Sequence, residues 1–399
     1  MKKKRIMILG ASILQKPAIV KAKEMGLDVV AIDIDEHAVG FEIADICLPI
    51  STVDIPNVVK AARRFNVDGI MTLCTDIPMP TVAAVAKECG LVGIDMDTAI
   101  RATNKAEMRQ CLKEHRVPIP NFYRVRIQEE YTAAIRCYSE KCIVKPADNS
   151  GSRGVYLIKD VKNQEQVNEA YRYSKAFSRS GDVVVEDFME GPEVSVETLS
   201  VDGEVHIIQI TDKLTTDAPY FVEIGHSQPS LLSENEKIDI CHVATAAVRA
   251  IGITNGPSHT EIKLTKSGAK IVELGARLGG DCITTHLVPF STGVDMVKCC
   301  IEIAMGEKPD FKQKLNCGSA IRYIPSHKGV MDDITGVEEA KKIAGICEIV
   351  FVKQLGDEIN DIHNSTDRVG FVIAQGDNAI SAVTLCEQAT SMIDIKVRK

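Results

Sequence analysis

Residues 1–95 read as short apolar runs alternating with stretches whose apolar residues recur at helical spacing. Arg5–Ala11 and Asp28–Asp35 are strand-length runs rich in Ile and Val, and the helical stretch Pro17–Gly26 between them closes on a glycine. Ile55–Asn66, Gly69–Cys74 and Pro80–Gly90 continue the alternation, which predicts βαβ units around a parallel sheet. Thr98–His115 has the spacing of one helix and leaves through the stiff Val117-Pro118-Ile119-Pro120. Cys142–Ala147 and Val155–Lys159 read as strands flanking a polar, glycine-bearing loop, followed by helix at Lys162–Phe177 and strand at Val183–Phe188. Glu193–Val201 and Glu204–Thr211 make a hairpin about Asp202-Gly203. Glu234–Gly252 is a helix, with another near Gly293–Gly306. The last third carries strand signals at Ala320–Ile324, Ile349–Leu355 and Arg368–Ala374, then a helix at Ala379–Met392.

Within this pattern, Pro257–Asp281 aims two carboxylates at one spot. Ile262, Leu264, Val272 and Leu274 alternate with Glu261, Lys263, Ile271 and Glu273, the period of half-buried strands. Lys266-Ser267-Gly268 reads as a three-residue hairpin loop with Gly268 supplying the positive φ. Folded about Ser267, the hairpin sets Glu261 across from Glu273. Like charges so opposed destabilise a bare sheet. A bound cation reverses the sign, and hard carboxylate oxygens suit Mg²⁺ held jointly with substrate phosphates. A bulge at the turn would shift the register by one and spoil the pairing.

Composition narrows the choices. A chain of 399 residues is long enough for two or three domains, and 45% hydrophobic content supports sizeable cores. Trp is absent and the net charge is −8, which argues against a nucleic-acid partner. Thirteen cysteines without CxxC pairs fit reduced, mostly buried thiols, with Cys89, Cys111, Cys142 and Cys300 as packing residues. The basic start MKKKR runs straight into the strand IMILGA, and no apolar run reaches membrane-spanning length. A cytoplasmic protein with no membrane partner is expected. The first turn, LGASILQKP, lacks GxGxxG, which argues against a nicotinamide site.

Two further segments can hold phosphate. Lys145 ends a strand that leads into Ala147-Asp148-Asn149-Ser150-Gly151-Ser152-Arg153-Gly154, where backbone N–H groups and two hydroxyls can meet an anion. Lys105, in Ala102-Thr103-Asn104-Lys105, sits ahead of an apolar-periodic helix, and Glu186-Asp187-Phe188-Met189 precedes Gly191-Pro192-Glu193 as a hinge beside an adenine-sized slot.

Taken in order, TNKAEMRQCLKEHRVPIP, IVKPADNSGSRGV, VVVEDFMEGPEVSVE, HTEIK, VELGAR and DRVGFVIAQG resemble the ATP-grasp superfamily over nearly the whole chain. The likeness runs to the biotin carboxylase and carbamoyl phosphate synthetase branch, and most to its amino-acid (carboxylate–amine) ligases. It implies an α/β fold of several subdomains: a Rossmann-like, parallel-sheet preliminary domain at 1–97, a nucleotide-binding subdomain with a glycine-rich lid at 98–190, a second carrying the metal site at 191–315, and a closing C-terminal subdomain at 316–399. It implies ATP as co-substrate and Mg²⁺, with Mn²⁺ as a substitute. Lys105, Lys145 and the lid residues Ser150, Gly151, Ser152 and Gly154 then contact phosphate. The backbone at Glu186 and Phe188 reads adenine, Glu193 binds ribose, and Glu261 and Glu273 hold metal. Many relatives carry Glu-x-Asn-x-Arg where this chain has Glu273-Leu274-Gly275-Ala276-Arg277, so a second metal position lacks its side-chain oxygen.

The resemblance implies phosphoryl transfer to a carboxylate and displacement of the acyl phosphate by an amine, with Arg277 on the acid or the oxyanion; its other role is an ion pair to a neighbouring carboxylate. Lys213 either reaches substrate or is solvated, and His226 and His259 are candidate substrate contacts or structural histidines. The partners are small acids and amines, and related enzymes are commonly dimers. Two other readings are a bicarbonate-activating enzyme and a nucleotide-sensing subunit without turnover.

Overall fold

The first sheet of the computed structural model, which describes residues 3–218 and 220–398, has three strands where the alternation predicts them and a fourth, Ile46–Pro49, that the alternation does not mark. Its strands lie in the order Ile46–Pro49, Asp28–Asp33, Arg5–Leu9, Gly69–Met71, all parallel. Arg5–Leu9 is apolar on both faces and buried from Ile6 onward, because helices cover the sheet on each side. Chain order reverses between Arg5–Leu9 and Gly69–Met71. The loops after these two strands therefore flank a crevice at the carboxyl edge, the usual ligand position in such sheets. Leu14 and Cys74–Ile77 sit on those loops.

The helix expected over Thr98–His115 is two helices, Met96–Thr103 and Lys105–Glu114. Asn104 breaks them with φ −125° and ψ 112°, and its side chain caps the second helix through the N–H groups of Ala106 and Glu107. Apolar spacing runs through the joint without a phase change, so periodicity could not reveal it. The break puts Lys105 in the first turn of a helix.

A four-stranded antiparallel sheet follows, ordered Phe122–Val125, Val183–Asp187, Cys142–Pro146, Tyr156–Ile158. An eight-stranded antiparallel sheet then runs Gly268–Gly275, Gly256–Thr265, Glu193–Val201, Glu204–Thr215, Glu223–Gln228, Gly318–Tyr323, Gly370–Gly376, Ile346–Phe351. It is continuous across residue 316. Asp202 and Gly203 take φ of 51° and 85° at the first hairpin, as its two-residue turn requires. Strand Glu223–Gln228, with His226 at its centre, has no counterpart in the apolar pattern. A small sheet of Glu358–Ile359, Gly329–Thr335 and Asp394–Arg398 completes the C-terminal part. Cys111, Cys142 and Cys300 are buried and Cys89 partly so. Among the described residues no helix is long and apolar enough to cross a membrane.

The carboxylate hairpin corrects its own prediction. Thr265 pairs with Gly268, so the loop is Lys266-Ser267 alone, and Gly268 keeps its positive φ of 101° inside the ladder. An unbulged hairpin on that turn pairs Glu261 with Val272 and sends Glu273 to the opposite face. Instead Ile262 pairs with Ile271, the register shifts, and Glu261 pairs with Glu273. Val272 is the extra residue. Ile271, expected outward, is fully buried beside Ile262, and the bulge creates the carboxylate pair instead of spoiling it.

Candidate active site

One cavity of about 490 Å³ lies where the parallel-sheet edge, the four-stranded sheet and the eight-stranded sheet meet. Of the residues singled out in the sequence, it brings together Lys105, Lys145, Ser150, Gly151, Ser152, Glu186, Phe188, Glu193, Lys213, His226, His259, Glu261, Glu273 and Arg277. Gly154 is not on its wall. A Cβ there would meet Phe177 Cβ at 2.7 Å and Pro146 at 3.1 Å, and φ is 81°, so Gly154 serves the base of the lid by close packing.

At one end, Ile143, Val155, Met189, Phe188 and Phe221 make an apolar slot, with the two phenylalanine rings 5.9 Å apart. Beside it Lys145 Nζ lies 2.7 Å from Glu186 Oε2. Burial depresses the Lys145 ammonium; Glu186 opposes this, and Arg109 and Lys105 add to it. The Glu186 side chain is thus an internal ion-pair partner, leaving only its backbone for a base. Lys105 Nζ donates to the Asn149 carbonyl and lies 2.8 Å from Glu273 Oε1. The loop Ser150–Arg153 lines the cavity, and a Cβ on Gly151 would stand 3.3 Å from Ser365 Oγ.

In the middle, Lys213 is neither solvated nor free to roam. Its ammonium lies 2.7 Å from Glu193, 3.1 Å from Glu261 and 3.3 Å from Glu223. Burial opposes its charge, but the three carboxylates outweigh it and raise its pKa well above the usual lysine range. Glu261 is half-buried, which favours its neutral form, yet Lys213 and His259 hold its carboxyl well below the usual range. His259 Nδ1 is 2.6 Å from Glu197 Oε1, and Nε2 is 3.6 Å from Glu261. Burial lowers His259, and the fully buried Glu197 overrides this and lifts it to about 9.

At the far end Arg277 makes the ion pair that was its alternative role, with Nε 2.9 Å from Asp76 Oδ1 and a second bond to Oδ2 at 3.3 Å, while still lining the cavity. Gly275 explains the missing asparagine. A Cβ there would lie 2.8 Å from Asp76 Oδ1, so the Asp76 carboxylate fills that space. His226 Nε2 is 3.2 Å from Asp281, which Arg368 grips with both NH groups at 2.9 and 2.8 Å. Arg368 also lies 3.8 Å over the Tyr323 ring.

Asp76, Glu197, Glu223, Asp281 and Arg368 were not assigned roles from sequence. Glu197, Asp281 and Arg368 lay within segments already singled out, at the ends of VVVEDFMEGPEVSVE and of Pro257–Asp281 and within DRVGFVIAQG, but without a role. Asp76 and Glu223 carried no signal and reach the cavity through long-range packing.

The ATP-grasp domain family matches residues 138–285, and the L-amino acid ligase C-terminal domain 2 family matches residues 322–398. The chain thus carries an ATP-grasp domain and an L-amino acid ligase C-terminal domain. It is 28% identical over 283 residues to the L-arginine-specific L-amino acid ligase of Bacillus subtilis, covering 69% of this chain and 68% of that one. It is 29% identical to the alanine–anticapsin ligase of Bacillus subtilis over 65% of this chain and 59% of that one. The solved L-amino acid ligase from Bacillus licheniformis superposes over the full length of both chains with a TM-score of 0.87 at 23% identity, a likeness of fold.

The residues fit Mg²⁺ of the kind ATP-grasp enzymes use. Among the described residues no group of three or more His, Cys, Asp or Glu side chains could hold a metal by itself. Two facing carboxylates, each now neutralised by a lysine ammonium, suit a hard cation that takes its other oxygens from phosphates.

Proposed function

We propose that this ATP-grasp protein is a carboxylate–amine ligase that joins an amino acid to a second small amine, with release of ADP and phosphate. One observation supports this reading: a single cavity is lined by Lys105 and Lys145, by the facing Glu261 and Glu273, and by Arg277 with Asp76. Bound Mg²⁺ would supply charge neutralisation of the β- and γ-phosphates between Glu261 and Glu273. Lys105 and Lys145 neutralise the remaining phosphate charge, and the lid excludes water from the reacting end. Arg277, oriented by Asp76, binds the acid and then stabilises the oxyanion formed when the amine attacks the acyl phosphate. Glu223 and Asp281 offer carboxylates to substrate ammonium groups. The ligase relatives and the C-terminal match favour this reading over bicarbonate activation, and the intact charged set argues against a subunit without turnover.

A phosphate-release screen of amino-acid pairs tests it. Release should require the acid and become full only with the amine. ADP release driven by bicarbonate without any amino acid, or release independent of every carboxylate, would overturn it.

A further inference from the structure

Arg109 is among the largest fully buried side chains of the described residues, and nothing in the proposed reaction uses it directly. It stands one helical turn after Lys105, on the same helix face. Its Nε donates to Glu186 Oε1 at 2.7 Å and its NH2 to Glu186 Oε2 at 3.2 Å. The same NH2 donates to the Val272 carbonyl at 2.7 Å. Glu186 passes the contact on to Lys145, and Val272 is the bulge residue next to Glu273. One guanidinium thus ties together the helix of Lys105, the strand beside that of Lys145 and the strand of Glu273.

As a stability device this arrangement is poor. Glu186 already has Lys145 as a cation partner, so a second buried cation brings its full desolvation cost, and Arg109 NH1 is buried with no partner. Apolar side chains of similar volume often serve stability as well as buried ion pairs do. What they cannot do is hold a bulge carbonyl and a carboxylate at a set separation.

We propose that Arg109 is a positioning residue. Through Glu186 it fixes Lys145, and through the Val272 carbonyl it fixes the bulge that turns Glu273 onto the face of Glu261. The phosphate lysine and the metal carboxylate are thereby held in register across two different sheets. This rests on the functional reading above, and the test separates the two.

The full chain is compared with Arg109→Met for Mn²⁺ binding to the ADP complex by electron paramagnetic resonance, for ADP affinity without metal, and for thermal unfolding. Arg109→Met should weaken Mn²⁺ binding about 10-fold or more, in line with losses on removing support for metal ligands. Metal-free ADP affinity should fall by less, about 3-fold, since the base slot remains and Lys145 keeps its own contact to Glu186 while losing the fork that holds Glu186 in place. Should Arg109→Met not fold, Arg109→Lys carries the same test, because one ammonium cannot span the Glu186 carboxylate and the Val272 carbonyl as the fork does. A lower melting temperature with Mn²⁺ affinity unchanged makes Arg109 structural and overturns the proposal. None of these measurements needs acid or amine, so a failed substrate screen leaves them readable. A wild-type protein that binds no Mn²⁺ with ADP overturns the functional reading and this one together.

Discussion

Two lysines in the cavity are equally buried and are pushed in opposite directions. Lys145 shares one carboxylate, Glu186, with Arg109, and it feels Lys105 as well; burial wins and its ammonium is disfavoured. Lys213 is enclosed by Glu193, Glu223 and Glu261; the carboxylates win and its ammonium is held firmly. Desolvation acts alike on both, so the difference comes from the local count of charges. Around Lys145 the cations exceed the carboxylates, which prepares that side for an anion. Around Lys213 the carboxylates exceed the cations, which prepares that side for a further cation. Glu261 belongs to the second group, and Glu273, bound by Lys105, to the first. The facing pair is therefore the seam between the two, where, on the proposed reading, a phosphate-bound divalent cation would satisfy both sides at once.

Removing the seam should have the largest effect. Glu273→Ala is expected to lower ADP formation by about 10³-fold or more, as loss of a group acting on transition-state charge does. The fold should survive, because the residue is half-buried and its lysine partner keeps its bond to the Asn149 carbonyl. A coupled ADP assay beside circular dichroism measures this. Retained turnover in a folded variant removes the metal assignment, and with it the reason for placing the cation between the two sides.

How this seam could be seen in the sequence depends on the range of the interactions. The parallel strands, the Asp202-Gly203 hairpin and the final helix Ala379–Met392 follow from local periodicity and turn chemistry. The Glu261–Glu273 pairing was legible for an incomplete reason: a three-residue loop gives the same facing as a two-residue loop plus a bulge. The bulge depends on Arg109 reaching the Val272 carbonyl from 163 residues away, which no local pattern carries. Strand Glu223–Gln228 was missed because its polar Glu, His, Ser and Gln give no alternation; it is a strand because both neighbours pair with it. Asp76 and Arg368 enter the site from opposite ends of the chain. Gly154 was placed with the lid by adjacency, while its missing Cβ answers to Phe177 and Pro146.

The two lysines themselves allow a more direct trial. Lys213→Met leaves three carboxylates facing one another in a buried setting and should cost about 3 kcal/mol of stability, the range for breaking a buried ion pair. Lys145→Met leaves Glu186 still held by Arg109 and should cost about 1 kcal/mol. Added Mg²⁺ should restore much of the first loss and little of the second. Thermal unfolding with and without Mg²⁺ reads both. Equal rescue of the two variants would show that charge is not partitioned across the cavity in this way.

The smallest effect concerns the far end, where charges are already matched. Asp281 sits at φ 49°, and asparagine is comfortable in that left-handed region, so Asp281→Asn removes the charge without adding backbone strain. Burial favours the neutral acid, but His226 and Arg368 outweigh it and hold the carboxyl well below the usual aspartate range. A depressed folded pKa gives stability that is complete above the unfolded value of about 4 and is lost as the pH falls below it. The wild type should therefore exceed Asp281→Asn by about 1 kcal/mol between pH 5 and pH 7, with the gap narrowing below about pH 4. Urea unfolding across that range measures it. A gap that stays constant into acid would mean that Asp281 holds Arg368 by shape and hydrogen bonding alone, and the C-terminal contact would then owe nothing to the charge balance that distinguishes Lys145 from Lys213.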